Sequence, residues 1–345
     1  MAMETITIHG TLRDATIYVG GHVEDIGQIL TAQEVFILTD RNLYPRVREL
    51  FPGQPIFQVV PGDYSKSLRV ATSVYRWLED GHADRNAFLL GIGGGVVTDL
   101  AGFVACTYLR GIRLGLVPTT LLSQVDAAIG GKNALNLDGF KNVIGTVYQP
   151  EFIFCDHGFL GTLSSEERSG GASEMIKDTI IDDRAQFDYM LSHAEQVLQV
   201  DHAVLDPLIA WCIKMKKKFI EADEFDHDER RKLNFGHTWG HAVEAITGIH
   251  HGYAVAIGMV FATKFAVHLG LCQEDTLQAL LQILAAYHLP TETKVLKWVV
   301  LDTVERDKKR EDEHINFIFP KRVGETVVVP ISREQLRAYV SQLEA

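Results

Sequence analysis

The chain has 345 residues, enough for two domains at roughly 150 residues each. Hydrophobic residues make up 46% and charged residues 23%, an ordinary globular balance that excludes a disordered or fibrous chain. Lys and Arg number 33 against 45 Asp and Glu, and the resulting net charge of −12 argues against nucleic acid or an anionic membrane as the main partner.

Up to about Asp156, short β-branched runs alternate with helical periods. Strands are predicted at Thr5–Ile8, Thr16–Val19, Glu34–Leu38, Ile56–Val60, Ala87–Leu90, Leu114–Val117 and Phe152–Cys155. Between them an amphipathic helix is clearest at Ser67–Leu78, where Leu68, Val70, Ala71, Val74, Tyr75 and Leu78 recur at helical spacing. This alternation predicts a parallel sheet covered on both faces. After Leu160 the pattern turns helical, with periods at Ser164–Ile181, Arg184–Leu198, Ala203–Ala222, Asp228–Ile246, Gly252–Leu269 and Glu274–Tyr287. Apolar runs at Ile315–Phe319 and Glu325–Val329 read as a hairpin around Lys321–Gly324, and Arg333–Leu343 as a final helix. The expected fold is a Rossmann-like α/β nucleotide-binding domain over residues 1–157, followed by a mostly helical domain over 158–345.

No run approaches the ~20 continuous apolar residues of a membrane span. The opening MAMETITIHGTLRD lacks the basic-then-apolar order of a secretory signal. Cys106, Cys155, Cys212 and Cys272 lie far apart without a CxxC pair. A cytoplasmic protein without structural disulfides is therefore expected.

Four features carry chemistry. The first is Leu89-Leu90-Gly91-Ile92-Gly93-Gly94-Gly95-Val96-Val97-Thr98-Asp99, where a buried-type strand runs through glycines into a helix. Such a turn lets backbone approach a pyrophosphate and aims N–H groups and a positive dipole end at it. Val96 stands where the usual dinucleotide fingerprint has its third glycine. Asp40 closes a predicted strand and can serve either an adenosine ribose or the N-cap of a helix at Asn42–Leu50. The second is Thr119–Asn142, in which Asp126, Lys132, Lys141 and Asn142 sit among glycines with no helical or strand period. Gly130-Gly131-Lys132 can form a turn presenting an ammonium and N–H groups to an anion.

The third feature is Asn234-Phe235-Gly236-His237-Thr238-Trp239-Gly240-His241, followed by His250-His251-Gly252. His237 and His241 share a helix face, the spacing two imidazoles need to reach one metal. A third ligand can come from His250 or His251, and a carboxylate from Glu174; the spacing alone does not choose among the four histidines. The fourth is a set of basic clusters, Lys214 with Lys216-Lys217-Lys218, Arg230-Arg231-Lys232, and Lys308-Lys309-Arg310. In an acidic chain they point to a substrate bearing phosphate or carboxylate.

Taken together, these motifs resemble the 3-dehydroquinate synthase family of the sugar phosphate cyclase superfamily. The likeness runs through Gly62-Asp63-Tyr64-Ser65-Lys66, GGGVVTDLAGFVACTYLRG, PTTLLSQVDAAIGGK, KNVIGTVYQP, SEMIK, NFGHTWGHAVE and the Asp307-Lys308-Lys309 stretch, in that order and over most of the chain. The resemblance implies zinc, with cobalt able to substitute, on Glu174, His237 and His251, leaving His241 and His250 outside the ligand set. It implies NAD on Gly93, Gly94, Gly95, Val96, Val97, Thr98 and Asp99, with Gly62, Asp63 and Lys66 also on the cofactor. Thr119, Thr120, Lys132, Lys141, Phe159, Leu160, Gly161 and Thr162 would surround the nicotinamide half, and Asp40 and Asn42 the adenosine. Implied substrate contacts are Asp126, Lys132, Asn142, Lys177, Lys216, Arg230, Asn234, His241 and one of Lys308 or Lys309. Arg110 would reach the phosphate site of a neighbouring subunit in a homodimer.

The implied reaction converts 3-deoxy-D-arabino-heptulosonate 7-phosphate to 3-dehydroquinate and phosphate in the shikimate pathway. NAD oxidises C5 transiently, zinc acidifies that hydroxyl, phosphate leaves by β-elimination, hydride returns, and an intramolecular aldol step closes the ring. The enzyme would be a phosphate lyase with no net redox change. Two alternatives are a cyclase for sedoheptulose 7-phosphate or an amino analogue, and an NAD- and metal-dependent polyol dehydrogenase. A substrate carboxylate, which only heptulosonate-type substrates carry, separates the sedoheptulose 7-phosphate cyclase from the implied activity, and Lys216 and Arg230 are the cations placed to clamp it. The chain departs from the family pattern in three places: Thr98 replaces a common glycine, Asn133-Ala134 replaces Thr-Gly after Lys132, and Tyr253 replaces the glutamate of HGEAV, removing one partner for the metal site.

Overall fold

The computed structural model describes residues 3–30, 34–138, 140–307 and 314–343. The chain divides into two compact units, Met1–Leu163 with Ile209–Phe225, and Ser164–Leu208 with Asp226–Ala345. A single boundary near 157 does not describe the return of Ile209–Phe225. That segment belongs with the first unit because its polar side chains pair there: Lys214 with Glu4, Lys216 with Asp126, Glu221 with the His9 amide and Glu224 with the Thr11 amide.

The strands of the first unit are β1 (Glu4–Ile8), β2 (Ala15–Val19), β3 (Val35–Asp40), β4 (Ile56–Val59), β5 (Phe88–Gly93), β6 (Arg113–Pro118), β7 (Lys132–Leu137), β8 (Phe140–Val147) and β9 (Phe152–Cys155). Seven form one sheet in the order β1-β2-β9-β6-β5-β3-β4. All its pairs are parallel except β1 with β2, which run antiparallel at the edge. That exception to the expected all-parallel sheet follows from the short link between two adjacent strands, since a parallel pair needs a longer crossover. β5 is buried at every position, as a central strand covered on both faces must be.

Three helices, α1 (Tyr44–Leu50), α2 (Leu68–Asp80) and α3 (Gly95–Thr107), accompany these strands. α2 buries Ala71, Val74 and Leu78 along one stripe and is capped by Ser67, whose hydroxyl accepts from the Val70 amide. α3 is apolar on nearly every side and mostly buried. Phe88 and Phe152 stack at 5.7 Å within a core that includes Val35, Ile37, Leu90, Ile92, Val117 and Phe159. The stretch read as patternless loop from Thr119 to Asn142 holds instead a widened turn at Ser123–Ala127 and the start of the β7–β8 hairpin. Its strand period is hidden because β8 is exposed along its first half.

The second unit begins with α4 (Ser165–Asp182), α5 (Arg184–Ser192) and α6 (Ala194–Leu198). One helix was expected over Arg184–Leu198, but it breaks at His193, whose ring turns back to the Tyr189 carbonyl. α7 (His202–Ala222) carries Pro207 just before the passage from the second unit to the first. Then come α8 (His237–Thr247), α9 (His251–His268), α10 (Glu274–Ala286), α11 (Lys297–Asp307), the antiparallel pair β10 (His314–Arg322) and β11 (Glu325–Ser332), and α12 (Arg333–Leu343). The expected helix Asp228–Ile246 is a tight turn at Glu229–Asn234 followed by α8, because Gly236 at φ +81° leaves helical geometry. α11 has no counterpart among the predicted helices; its apolar residues run consecutively from Trp298 to Leu301, which hides the helical period.

Phe261, Phe265, Phe317, Phe319 and Tyr339 interlock from α9, β10 and α12, with Phe265 stacked on Tyr339 at 4.2 Å. No helix of the described residues is long and apolar enough to cross a membrane. α4 opens with a capping box in which Ser164 and Glu167 each accept from the other's amide. Ser164→Ala should lower the unfolding free energy by about 1 kcal/mol in urea titration, since it leaves an N-terminal amide unpaired.

Candidate active site

In the first unit, β5 ends at Gly93, Gly94 takes extended geometry, and α3 starts at Gly95. A side chain at Gly93 would meet Val97 at 2.6 Å and one at Gly94 would meet Thr120 at 3.0 Å, so the backbone stays bare where the helix begins. The first turn of α3 offers N–H groups without intrahelical acceptors and the positive end of its dipole, the arrangement that receives a pyrophosphate. Thr98 is buried and its hydroxyl bonds to the Gly95 carbonyl at 3.1 Å, so this departure ties the turn together without blocking it. The Thr119 amide donates to the Gly93 carbonyl at 3.0 Å, and Thr120 bonds to Ser123.

Beside this turn the expected cofactor and substrate residues meet one another. Lys66 Nζ lies 2.5 Å from both Asp99 and Asn142, while Lys141 pairs with Asp63. Lys216 donates to the Asp126 carbonyl at 2.5 Å and also pairs with its carboxylate. Burial raises the Asp99 carboxyl above its usual range, and Lys66 works against that. Lys66→Ala should therefore destabilise the protein by about 3 kcal/mol, because it strips a partly buried carboxylate of its partner. Asp99 can escape by taking a proton, so the loss should be smallest in acid and grow toward neutral pH in denaturation curves.

The other expected residues spread over this unit. The Asp40 carboxylate accepts from the amides of Asn42 and Leu43 at 2.8 and 3.1 Å in the turn ahead of α1, whose N-cap is Leu43, and Asn42 is exposed. Gly62 sits at φ +98° ahead of Asp63, and Lys132 is exposed at the start of β7. Asn133 binds the carbonyls of Gly131 and Tyr148 and fills the space left by Gly102 on α3, where any Cβ would strike its amide. The departure at 133 is thus a brace between hairpin and helix. Phe159 and Leu160 are buried, Arg46 lies 4.0 Å over the Phe159 ring, Gly161 is exposed, and the Thr162 hydroxyl bonds to the Phe159 carbonyl. Arg110 is exposed at φ +68°, the middle of three left-handed residues from Leu109 to Gly111. Lys308 and Lys309 lie outside the described residues.

In the second unit, α4, α8 and α9 bring Glu174, His237, His241 and His251 together. Close backbone contact makes this feasible: a Cβ at Gly252 would fall 2.0 Å from the Gly170 carbonyl, and one at Gly258 would fall 1.9 Å from that of Gly236. The imidazoles of His237, His241 and His251 offer nitrogens within 4.8 Å of one another. His251 Nε2 is 3.3 Å and His237 Nε2 is 3.7 Å from the same oxygen of Glu174. His237 Nδ1 faces the Phe235 carbonyl at 3.2 Å, so its proton belongs there and Nε2 is left with a lone pair.

Glu174 is fully buried and Lys177 Nζ is 2.7 Å from its second oxygen, yet neither oxygen receives a well-aligned hydrogen bond. Burial works to raise this carboxyl, but Lys177, His237 and His251 outweigh it and hold the group well below the usual range. Burial also works to lower His251, while Glu174 and Glu244 on its two sides push it up to about 10. His241 is pushed down to about 3 by burial and by its two histidine neighbours, which leaves it neutral. Donor atoms about 2.1 Å from a tetrahedral zinc stand roughly 3.4 Å apart, close to the separations seen here. The donor set therefore fits zinc with three protein ligands and one open position. The geometry accommodates Glu174 or His241 beside His237 and His251.

Lys177 is buried between Glu174 and Asp178, and Arg230 is buried in the turn that also carries Asn234. Two contributors escaped the sequence reading. Asp178 adjoins Lys177 on α4, and Glu244 on α8 accepts from His251 Nδ1 at 3.0 Å. Glu244 follows His237 by seven residues and His241 by three, so its place on their face of the helix was there to be read.

Comparisons with known proteins bear on both units. A family model described as 3-dehydroquinate synthase N-terminal matches residues 56–169, and one described as 3-dehydroquinate synthase C-terminal matches residues 171–310. A 3-dehydroquinate synthase of Thermoanaerobacter pseudethanolicus is 36% identical over 351 aligned residues, covering 97% of this chain and 99% of that protein. One from Streptococcus pyogenes serotype M3 is 39% identical over 342, covering 94% and 95%. Among solved structures, a 2-deoxy-scyllo-inosose synthase complexed with carbaglucose-6-phosphate, NAD+ and Co2+ superposes with a TM-score of 0.87 at 23% identity, over 98% of this chain and 100% of the other. At that identity the likeness shows the fold: an α/β sheet domain followed by a helical domain.

Proposed function

Because the chain belongs to the 3-dehydroquinate synthase family, we propose that it converts 3-deoxy-D-arabino-heptulosonate 7-phosphate to 3-dehydroquinate and phosphate, using NAD and zinc. The observation that carries this reading is the convergence of His237 and His251 Nε2 on the buried carboxylate of Glu174. When bound, NAD supplies a reversible hydride acceptor and zinc a Lewis acid for the substrate hydroxyl.

The chain's own residues do the rest. Glu174, His237 and His251 hold the metal, and the glycine turn before α3 holds the NAD pyrophosphate. Lys66 and Asp99 fix the geometry beside that turn. Lys177, buried next to Glu174, supplies positive charge where an oxyanion develops. Lys216 and Arg230 supply cations for the substrate carboxylate, with Asp126 orienting Lys216. Lys132, Lys141 and Asn142, with Asn234 and Lys309, complete the polar contacts. His241, neutral and beside His237, has a lone pair with which to accept a hydroxyl hydrogen bond. Arg110 serves a second subunit, so the same reading includes a homodimer. A cytoplasmic setting accords with cysteines that form no disulfide among the described residues.

The decisive assay offers the heptulosonate phosphate, NAD and zinc, beside sedoheptulose 7-phosphate, and follows phosphate and NADH together. Phosphate release from the heptulosonate without lasting NADH is the expected result. Release from sedoheptulose 7-phosphate alone would make the protein another cyclase. Sustained NADH from a polyol, with no phosphate from either sugar, would make it a dehydrogenase.

A further inference from the structure

We infer that Glu244 is a positioning residue for the metal centre, holding His251 with Nδ1 protonated and Nε2 turned toward Glu174; this rests on the metal reading above. Glu244 is buried on α8 and its Oε2 lies 3.0 Å from His251 Nδ1. On the opposite side of the same ring, Nε2 stands 3.3 Å from Glu174. An imidazole between two carboxylates can rotate or shift its proton, and the partner on Nδ1 decides which nitrogen keeps its lone pair. A carboxylate also strengthens the donor across the ring, because it stabilises positive charge that builds on the imidazole as Nε2 gives electrons to a cation.

The family's HGEAV glutamate is tyrosine here, and the Tyr253 ring packs against His250, with centroids 5.8 Å apart. The acid that serves His251 in this chain therefore comes from α8 and not from position 253. α8 thus supplies both a ligand, His237, and the orienter of a second ligand on α9. Its register against α9, set by the bare backbones of Gly236, Gly240 and Gly258, fixes both at once.

The test compares wild-type protein with Glu244→Ala and Glu244→Gln after metal removal, with thermal unfolding to establish folding. Zinc affinity is measured by competition with a chelator, and site geometry by the visible spectrum of the Co2+-loaded form. Glu244→Ala should bind zinc about 10- to 100-fold more weakly, with an altered Co2+ spectrum. Glu244→Gln keeps an acceptor for Nδ1–H, so its Co2+ spectrum should stay close to wild type while affinity falls by roughly 3- to 10-fold with the lost charge. If Glu244→Ala does not fold, the Gln variant decides: wild-type affinity would overturn the inference. A folded Glu244→Ala with wild-type affinity and spectrum would overturn it equally, leaving the metal site intact. Wild-type protein that takes up neither zinc nor cobalt would overturn both the metal site and the role of Glu244.

Discussion

His237→Ala is expected to yield a folded protein that retains no zinc through gel filtration and releases no phosphate from the heptulosonate. The side chain stands at the first residue of α8, where its loss costs the helix little, and the ring is not part of the apolar core. Its contribution is one of three donors. Four-ligand structural zinc sites bind with roughly 10–16 kcal/mol, so losing one ligand in three removes several kcal/mol, and each ~1.4 kcal/mol is tenfold in affinity. Glu174 would also lose a neighbour that helps keep it ionised. Elemental analysis of the gel-filtered protein reads the result, and full zinc occupancy in the variant would contradict the assignment. His241→Ala makes the paired control: with ligands Glu174, His237 and His251 it keeps its metal while turnover falls. Loss of metal from His241→Ala, together with retention by Glu174→Gln, would replace the carboxylate by a third imidazole.

The elements that the sequence displayed best are those whose pattern and burial coincide. β5 reads as an unbroken apolar run because both faces are covered, and α2 reads as a helix because Ala71, Val74 and Leu78 repeat along one stripe. β7–β8 was missed because its alternation is broken by exposed apolar residues such as Leu137, Phe140 and Val143. Asp228–Ile246 read as one helix because only backbone geometry reveals that Gly236 interrupts it. At the candidate site, the His237–His241 spacing was legible as a metal face, while the roles of His250 and His251 required tertiary information. His250 caps α9, accepting from the Gly252 amide, and only His251 turns its ring toward Glu174. Glu244 was passed over because a helical glutamate is usually solvated, and only its burial against His251 sets it apart. The pairing of Lys66 with Asp99 and Asn142 joins residues distant in sequence, which no spacing rule exposes.

Gly252→Ala should cost about 3 kcal/mol of stability and weaken zinc binding with it. Alanine has the better helix propensity by roughly 1 kcal/mol, so an exposed position would gain from the change. Here the added methyl would lie 2.0 Å from the Gly170 carbonyl oxygen and 2.6 Å from its Cα, both backbone atoms that no rotamer change can move. Ordinary contact needs more than an ångström of extra room, and the α4 backbone at that point is buried and held by its own helix. Overpacking of this kind costs up to about 3 kcal/mol and occasionally more, which outweighs the propensity gain. The displacement falls on the segment where α9 carries His251 next to the helix carrying Glu174, so their 3.3 Å contact opens as the clash is relieved. Urea unfolding and zinc competition should therefore move together in this variant. Gly27→Ala, at an exposed position with nothing within 4 Å of the new methyl, should leave zinc affinity unchanged and lower stability not at all. Wild-type stability and metal affinity in Gly252→Ala would show that the α4 and α9 backbones do not touch at Gly170, and the ligand separations that depend on that contact would fall with it.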